Sequence, residues 1–313
     1  MKPVLIAWLI RRHLPGWLLP DYFLLAAMAA LLGAMIALRL CARDGASPLH
    51  TAYAIACAYV AALGGGYLFE ALRSLPAAAT SGSWRPVTHA GRAAYGGLLA
   101  AIVAAVLYLR AARQPIVPFF DRVAVGTGLT FALVRTGCFI EGCDYGLPTG
   151  SVLGVRFPRG SLAALDHARR GFVPHGAPSL PVHPTQLYEA ALGLVAAALA
   201  ALALRRGRRD GAAFVTFLGV YAIGRFAIEC LRGDQDRGHA LGLSTAQWVS
   251  VAIVGALVLA VVRRAGYPRH GSSPRQWSVD GLFPVSAVEG RKSEPIEIHV
   301  IKTPDVDVDL VGI

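Results

Sequence analysis

The sequence predicts an all-α polytopic membrane protein with about seven transmembrane helices and a small outward-facing loop cap. Three observations carry this. Of the 313 residues, 55% are hydrophobic and only 16% charged, where soluble domains carry about a quarter charged residues. Seven stretches are apolar over about the 20 residues that a membrane helix needs. The basic residues, nearly all arginine, give a net charge of +11 and gather between those stretches. A basic soluble chain would point to nucleic acid, but arginines flanking apolar runs point to anionic lipid head groups. The expected surroundings are a membrane, with no nucleic-acid partner.

Taken in order, residues 1–20 read "MKPVLIAWLIRRHLPGWLLP". They resemble a short signal sequence, but no small-residue cleavage site follows, and an interfacial amphipathic segment is expected. A membrane domain follows over 21–265, with spans at 21–41, 51–73, 94–110, 117–140, 184–204, 212–231 and 243–262. Alanine, leucine and glycine dominate these spans, which argues against barrel strands. Stretches such as "AALGGGYL" supply small residues that let helices approach closely in lipid. The loop from Gly142 to Pro181 is the longest and too polar to cross; its proline, glycine and "GVRFPRG" predict the ordered cap. From 266 to 313 the chain turns polar, "RHGSSPRQ" reads as a linker, and "EPIEIHVIKTPDVDVDLVGI" alternates like a strand with nothing obvious to pair with. A flexible cytoplasmic tail is expected there.

Orientation follows from the arginines beside the spans. Arg39 and Arg43, Arg110 and Arg113, Arg205 to Arg209, and Arg263 and Arg264 share one side, which places them in the cytoplasm. The N-terminus then faces outward and the C-terminus inward. Lys2, Arg11, Arg12 and several arginines of the 142–183 loop run against this pattern.

Ionisable residues inside spans cost about 2.5–3.5 kcal/mol each on insertion scales and so stand as functional candidates. At about 1.5 Å per residue, Arg135 lies about 26 Å beyond Pro118, near the outer surface, and Arg225 about 20 Å beyond Ala212. Span five begins on that side with His183, Gln186, Tyr188 and Glu189, and span three with Arg92 and Tyr95 before two glycines. Four segments therefore bring polar groups to one depth. Arg225, Glu229 and Arg232 share a helix face by their spacing. An ion pair that only joins helices explains those three. Arg135, read as unpaired, points further, because guanidinium groups bind phosphate bidentately. Gly137, Gly142 and Gly146 beside it would let a lipid head group approach the backbone. "HPTQLYEA" reads either as a helix start, with Pro184 in the first turn, or as a source of hydrogen-bonding partners and a proton acceptor in His183 and Tyr188.

The five cysteines, Cys41, Cys57, Cys138, Cys143 and Cys230, are odd in number and scattered, unlike a disulfide framework. Cys138 and Cys143 with Glu141, Asp144 and His183 lack the tight spacing of a zinc site. No metal is expected; small packing residues or an outward-facing disulfide remain as alternatives.

Four stretches carry a resemblance. "VRTGCFIEGCDYGLPTGSVLGVRFP", "HPTQLYEAALGL", "YAIGRFAIECLRGDQD" and "LSTAQWVSVAIVG" occur in that order, and together the chain over about 22–265 resembles the prolipoprotein diacylglyceryl transferase family. The resemblance implies a bacterial cytoplasmic-membrane enzyme that needs no cofactor. Its substrates would be phosphatidylglycerol and the lipobox cysteine of a preprolipoprotein signal peptide; its product would be a thioether, with glycerol phosphate leaving. It implies catalytic roles for Arg135 and Arg225, with Glu229 beside Arg225, and for His183 and Tyr95. Together with the reading of the residues above, the expected phospholipid contacts are Arg135, Gly137, Gly142, Gly146, Gln186, Tyr188 and Arg232. The arginines would stabilise charge on the departing phosphate, and the substrate thiolate would be the nucleophile.

The chain departs from the family pattern at four positions. Cys138 stands where an asparagine is usual, and Glu141 and Cys143 where a second asparagine and a glutamate commonly follow. "YGG" replaces "HGG", so Tyr95, with an ordinary pKa near 10, stands for a histidine; His89 is the nearby substitute base. A phospholipid-dependent transferase with another acceptor, or a non-catalytic lipid-binding protein, are the alternatives. The absence of internal repeats and the outer position of the charges weigh against a transporter.

Overall fold

The structure, a computed structural model, describes residues 22–81, 90–207, 210–234 and 239–266. The interfacial segment expected at 1–20, the candidate base His89 and the polar tail beyond 266 lie outside the described residues. The described residues up to Arg263 belong to one compact unit.

Seven long helices and one short one account for most of the described chain: α1 Tyr22–Arg43, α2 Pro48–Ser81, α3 Ala90–Ala111, α4 Ile116–Glu141, α5 Leu162–Arg169, α6 Thr185–Arg205, α7 Ala212–Glu229 and α8 Thr245–Gly266. Two short antiparallel pairs complete it, β1 Val155–Arg156 with β2 Pro181–Val182 and β3 His239–Ala240 with β4 Leu243–Ser244. Six of the helices are long and apolar enough to cross a membrane, and the chain is a multi-pass membrane protein. The third predicted span falls on α3, whose described apolar part, Gly96–Ala111, is shorter. The second runs longer than its predicted 51–73, since α2 is continuous from Pro48 through Pro76 to Ser81.

Helix α4 is the central element. It packs against α1, α6 and α7, while α2 and α3 pair with each other. Ala124 and Val125 of α4 meet Ala196, Ala200 and Ala203 of α6 and Ala213 and Phe217 of α7 in a buried cluster dominated by alanine. Large apolar side chains instead face outward, Leu31, Val60, Leu63, Tyr67, Leu99 and Val261 among them. That inverts a soluble core. Lipid is as apolar as leucine, so the helices associate by close packing of small residues. The α4–α6 crossing shows how close: a Cβ on Gly128 would lie 2.6 Å from the Gly193 carbonyl oxygen, and one on Gly193 would lie 2.8 Å from that of Gly128.

Polar contacts fix the two ends of the bundle. At one end, buried Asp121 at the start of α4 accepts from the amides of Gly211 (2.6 Å) and Phe214 (2.8 Å), capping α7, and Arg122 pairs with Asp44 at 2.6 Å. The opposite end carries the cap of residues 142–184. Ser161 starts α5 by accepting from Ala164 N, and Phe157, Tyr145, Ala163 and Val182 form its small core.

Candidate active site

Three backbone segments knot together where α4, α6 and α7 end or begin. Gly146 N donates to His183 O (2.9 Å), His183 N to Leu147 O (3.0 Å), Leu147 N to Leu231 O (2.7 Å) and Gly233 N to Tyr145 O (3.1 Å). A Cβ on Gly146 would lie 2.6 Å from the His183 carbonyl oxygen, so only glycine lets the three strands of this knot meet. The first turn of α6 holds the same chain: Thr185 Oγ1 donates to Asp144 O at 2.7 Å, and Gln186 Nε2 to Cys143 O at 2.5 Å. The knot aims Asp144, Glu189 and Arg232 at one another.

Among the described residues, the result is a network that includes three guanidinium groups and four carboxylates. Glu189, fully buried, is its hub. Its Oε1 lies 2.9 Å from Arg232 Nη1 and 3.6 Å from Arg225 Nη1. Its Oε2 faces Arg135 Nε in an ion pair, with no hydrogen bond to that oxygen among the described residues. Asp144 bridges Arg135, at 2.7 Å, and Arg232. Glu229 pairs with Arg225 one turn before it, and Asp234 with Arg232 at 3.0 Å. Among the described residues, three positive groups meet four carboxylates there. The expectation of an unpaired Arg135 is therefore corrected: it is paired twice. The sequence placed Glu189 near the right depth, but only the folded knot shows that it and Asp144 both reach the arginines.

Electrostatics beyond the helix ends follow from this geometry. Burial pushes the Asp144 carboxyl up, but Arg232 and Arg135 outweigh it and hold the group well below the usual carboxylate range. Burial likewise lowers Arg232, yet Asp144, Asp234 and Glu189 outweigh it and raise the guanidinium above its ordinary value. Asp234 moves up, chiefly from burial, with Arg232 opposing. Side-chain exposure separates the arginines: Arg135 is 23% exposed, Arg225 12% and Arg232 2%. Arg232 is a buried strut, and the other two are reachable.

The remaining candidate residues fall into place unevenly. His183 Nδ1 lies 3.3 Å from Tyr188 Oη, so these two pair with each other. Gln186 Oε1 is buried and accepts no hydrogen bond from the described residues. Gly137 faces Tyr22 and Leu25, Gly142 caps α4 at φ 76° against Phe157 and Ser161, and Gly146 sits within the knot. The missing side chains of all three glycines face protein, a packing reason for each in place of an open path to the backbone. Tyr95 lies in the first turns of α3, with its side chain outside the described residues. A cavity of about 660 Å³ opens between the cap, the end of α7 and the start of α8. It is lined by Arg170, Phe172, Glu229, Arg232, Asp234 and Gln247, and so reaches the network from one side. The Sγ atoms of Cys138 and Cys143 and a carboxylate oxygen of Asp144 lie within 4.8 Å of one another, a spacing that a metal ion could span. Two guanidinium groups already hold that carboxylate, and they oppose a cation there.

The family model for prolipoprotein diacylglyceryl transferase matches residues 12–263. The chain belongs to that family. It is 29% identical over 171 residues to the phosphatidylglycerol–prolipoprotein diacylglyceryl transferase of Clostridium tetani, covering 54% of this chain and 63% of that protein. To the proteins of the same name from Rhodospirillum rubrum and Symbiobacterium thermophilum it is 35% and 33% identical, each match covering 56% of this chain and 62% of the relative. The chain thus spans about three-fifths of the length of the relatives it matches. Arg135, Glu189, Arg225 and Arg232 all lie inside the stretch that the prolipoprotein diacylglyceryl transferase model covers.

Proposed function

We propose that this chain transfers a diacylglyceryl group from phosphatidylglycerol to the lipobox cysteine of preprolipoproteins, at a bacterial cytoplasmic membrane with its N-terminus outside and C-terminus in the cytoplasm. The observation that carries this reading is the convergence of Arg135 and Arg225 on one buried carboxylate in a member of this family. Three neighbouring guanidinium groups repel one another without a counter-charge. Glu189 supplies it, so the two reachable arginines are already side by side when a phosphodiester arrives. Such pre-organisation is what electrostatic catalysis needs, because no donor must be reoriented as charge develops.

The chemistry then runs as follows. The substrate thiol loses its proton to a base, and the thiolate attacks the carbon of the diacylated glyceryl unit that carries the phosphate ester. A C–S bond forms, the C–O bond to phosphate breaks, and glycerol phosphate leaves with the electron pair. The phosphate gains negative charge in this step, so Arg135 and Arg225 hold it more strongly in the transition state than before. To reach them it must displace part of the grip of Asp144 and Glu229. His183, paired with Tyr188, and Tyr95 are the candidate bases. Gln186 Oε1, lacking a donor within the described residues, is the acceptor offered to a head-group hydroxyl.

The test is a reconstituted assay. Purified protein in phosphatidylglycerol vesicles is given a lipobox peptide, and release of glycerol phosphate and the mass of the peptide are followed. One glycerol phosphate per diacylglyceryl thioether is expected, with none from a Cys→Ser peptide. Bound lipid without turnover would support the lipid-binding alternative, and release without peptide modification would point to a different acceptor.

A further inference from the structure

Helix α4 ends in a left-handed cap. Gly142, at φ 76°, donates from its amide to Cys138 O at 2.9 Å, and the Cys143 amide reaches the same carbonyl at 3.2 Å. This six-residue return normally brings the side chain before the end of the helix against the one just after it, as an apolar contact that seals the cap. Here both side chains are thiols. Cys143 Sγ lies 3.6 Å from Cys138 O, and the two sulfur atoms lie within 4.8 Å of each other. Cys138 Sγ is also 3.9 Å from Arg135 Nη1, and the next residue, Asp144, holds Arg135 and Arg232.

Two thiols in a sealing contact have a dull explanation, since free cysteine packs as a small apolar residue. A metal explains them less well, because Asp144 is occupied by arginines. What separates this pair from packing cysteines is that the backbone has already performed the closure. A disulfide needs Cα atoms about 4.4–6.8 Å apart and sulfur atoms that can meet without moving the chain, and a cap that bonds residue 143 to the carbonyl of residue 138 sets up that approach. Cys143 is half-buried and Cys138 buried, so an oxidant meets Cys143 first and Cys138 resolves.

We propose that Cys138 and Cys143 are a reversible dithiol–disulfide site built into the cap of α4, directly beside Arg135. The co-reactant is a low-molecular-weight or protein disulfide. The Cys143 thiolate attacks one of its sulfur atoms, forming a mixed disulfide and releasing one thiol, which takes up the first proton. The Cys138 thiolate then attacks Cys143 Sγ, closing the intramolecular bond and releasing the second thiol with the second proton. The two cysteines lose two electrons and the co-reactant gains them. On the orientation proposed above, the site faces the outer side of the membrane, where disulfides persist. The inference itself needs only the geometry of the cap.

The experiment uses the purified full-length protein in detergent, incubated with hydroxyethyl disulfide, denatured, alkylated and mapped by peptide mass. The proposal expects the peptide carrying residues 138 and 143 to escape alkylation, to lack two hydrogen atoms, and to regain both alkylation sites after dithiothreitol. The Cys138→Ser variant should stop at a mixed hydroxyethyl disulfide on Cys143. A wild-type protein in which that adduct persists while Cys138 stays alkylatable would overturn the proposal, as would two thiols that both remain unmodified. Neither readout depends on transferase turnover, so failure here and failure of the proposed activity are distinguishable.

Discussion

Arg232 and Glu189 are joined at 2.9 Å at the centre of the cap-side end of the bundle, both almost wholly buried. Neither can be the whole of a site that meets solvent or lipid. Their pairing instead fixes the frame in which Arg135 and Arg225 are presented. Removing one partner of a buried pair leaves an uncompensated charge and costs about 3–5 kcal/mol, because the other cannot find water. Glu189→Gln keeps the shape and removes the charge from beneath three guanidinium groups. It should lower unfolding stability in detergent by roughly 3 kcal/mol, measured by chemical denaturation, and should do so without substrate present.

Arg135→Lys tests presentation rather than charge. A lysine keeps the positive charge but loses the planar fork that engages Asp144 and Glu189 and that, on the proposed function, also holds a phosphate. Turnover should fall by about 100-fold or more, the loss seen when one pre-organised transition-state donor is removed, with little change in the amount of protein inserted. A steady-state comparison with wild type at matched membrane levels checks this. Arg232→Lys should instead reduce stability first.

Much of this arrangement is legible in the amino-acid sequence, and the part that is not has a physical reason. Apolar length and arginine placement identify the membrane helices, and the depth of Arg135, Arg225 and His183 along their helices brings them to one end. Depth says nothing about azimuth, however. Whether Asp144 and Glu189 turn toward Arg135 depends on the backbone knot of 145–148, 181–183 and 231–233, whose hydrogen bonds join segments far apart in sequence. Gly146 illustrates the difference. As a sequence residue it suggests room for a head group, and in the fold it is needed because the His183 carbonyl occupies that room.

Gly128→Leu probes the packing of the bundle. The position lies where the α4 and α6 backbones nearly touch, and a leucine would force the helices apart. Overpacking typically costs about 1–3 kcal/mol, and the cost here should exceed that of Gly255→Leu, where nothing lies within 4 Å. Thermal aggregation profiles of the two variants in the same detergent give the comparison.

His167 predicts a pH dependence of the cap. Its ring is buried, Nδ1 accepts from Leu180 N at 3.1 Å, and burial lowers its pKa from the ordinary 6.5. Asp166 opposes that shift and Arg170 adds to it. A histidine depressed in the folded state stabilises fully above its unfolded pKa and loses that contribution as pH falls through the folded value. Wild type should therefore lose stability as the pH drops below about 6.5. His167→Gln should start less stable at pH 8 and show a shallower loss over the same range, read by thermal unfolding between pH 8 and 5.

The most direct measurement is rescue of a bacterium depleted of its own diacylglyceryl transferase, with wild type and Arg135→Ala expressed at equal membrane levels. Growth and lipidated lipoprotein restored by wild type and not by Arg135→Ala is the predicted result. A well-inserted wild-type chain that restores neither, or an Arg135→Ala chain that restores both, would contradict the central claim that the arginines gathered around Glu189 carry out the transfer.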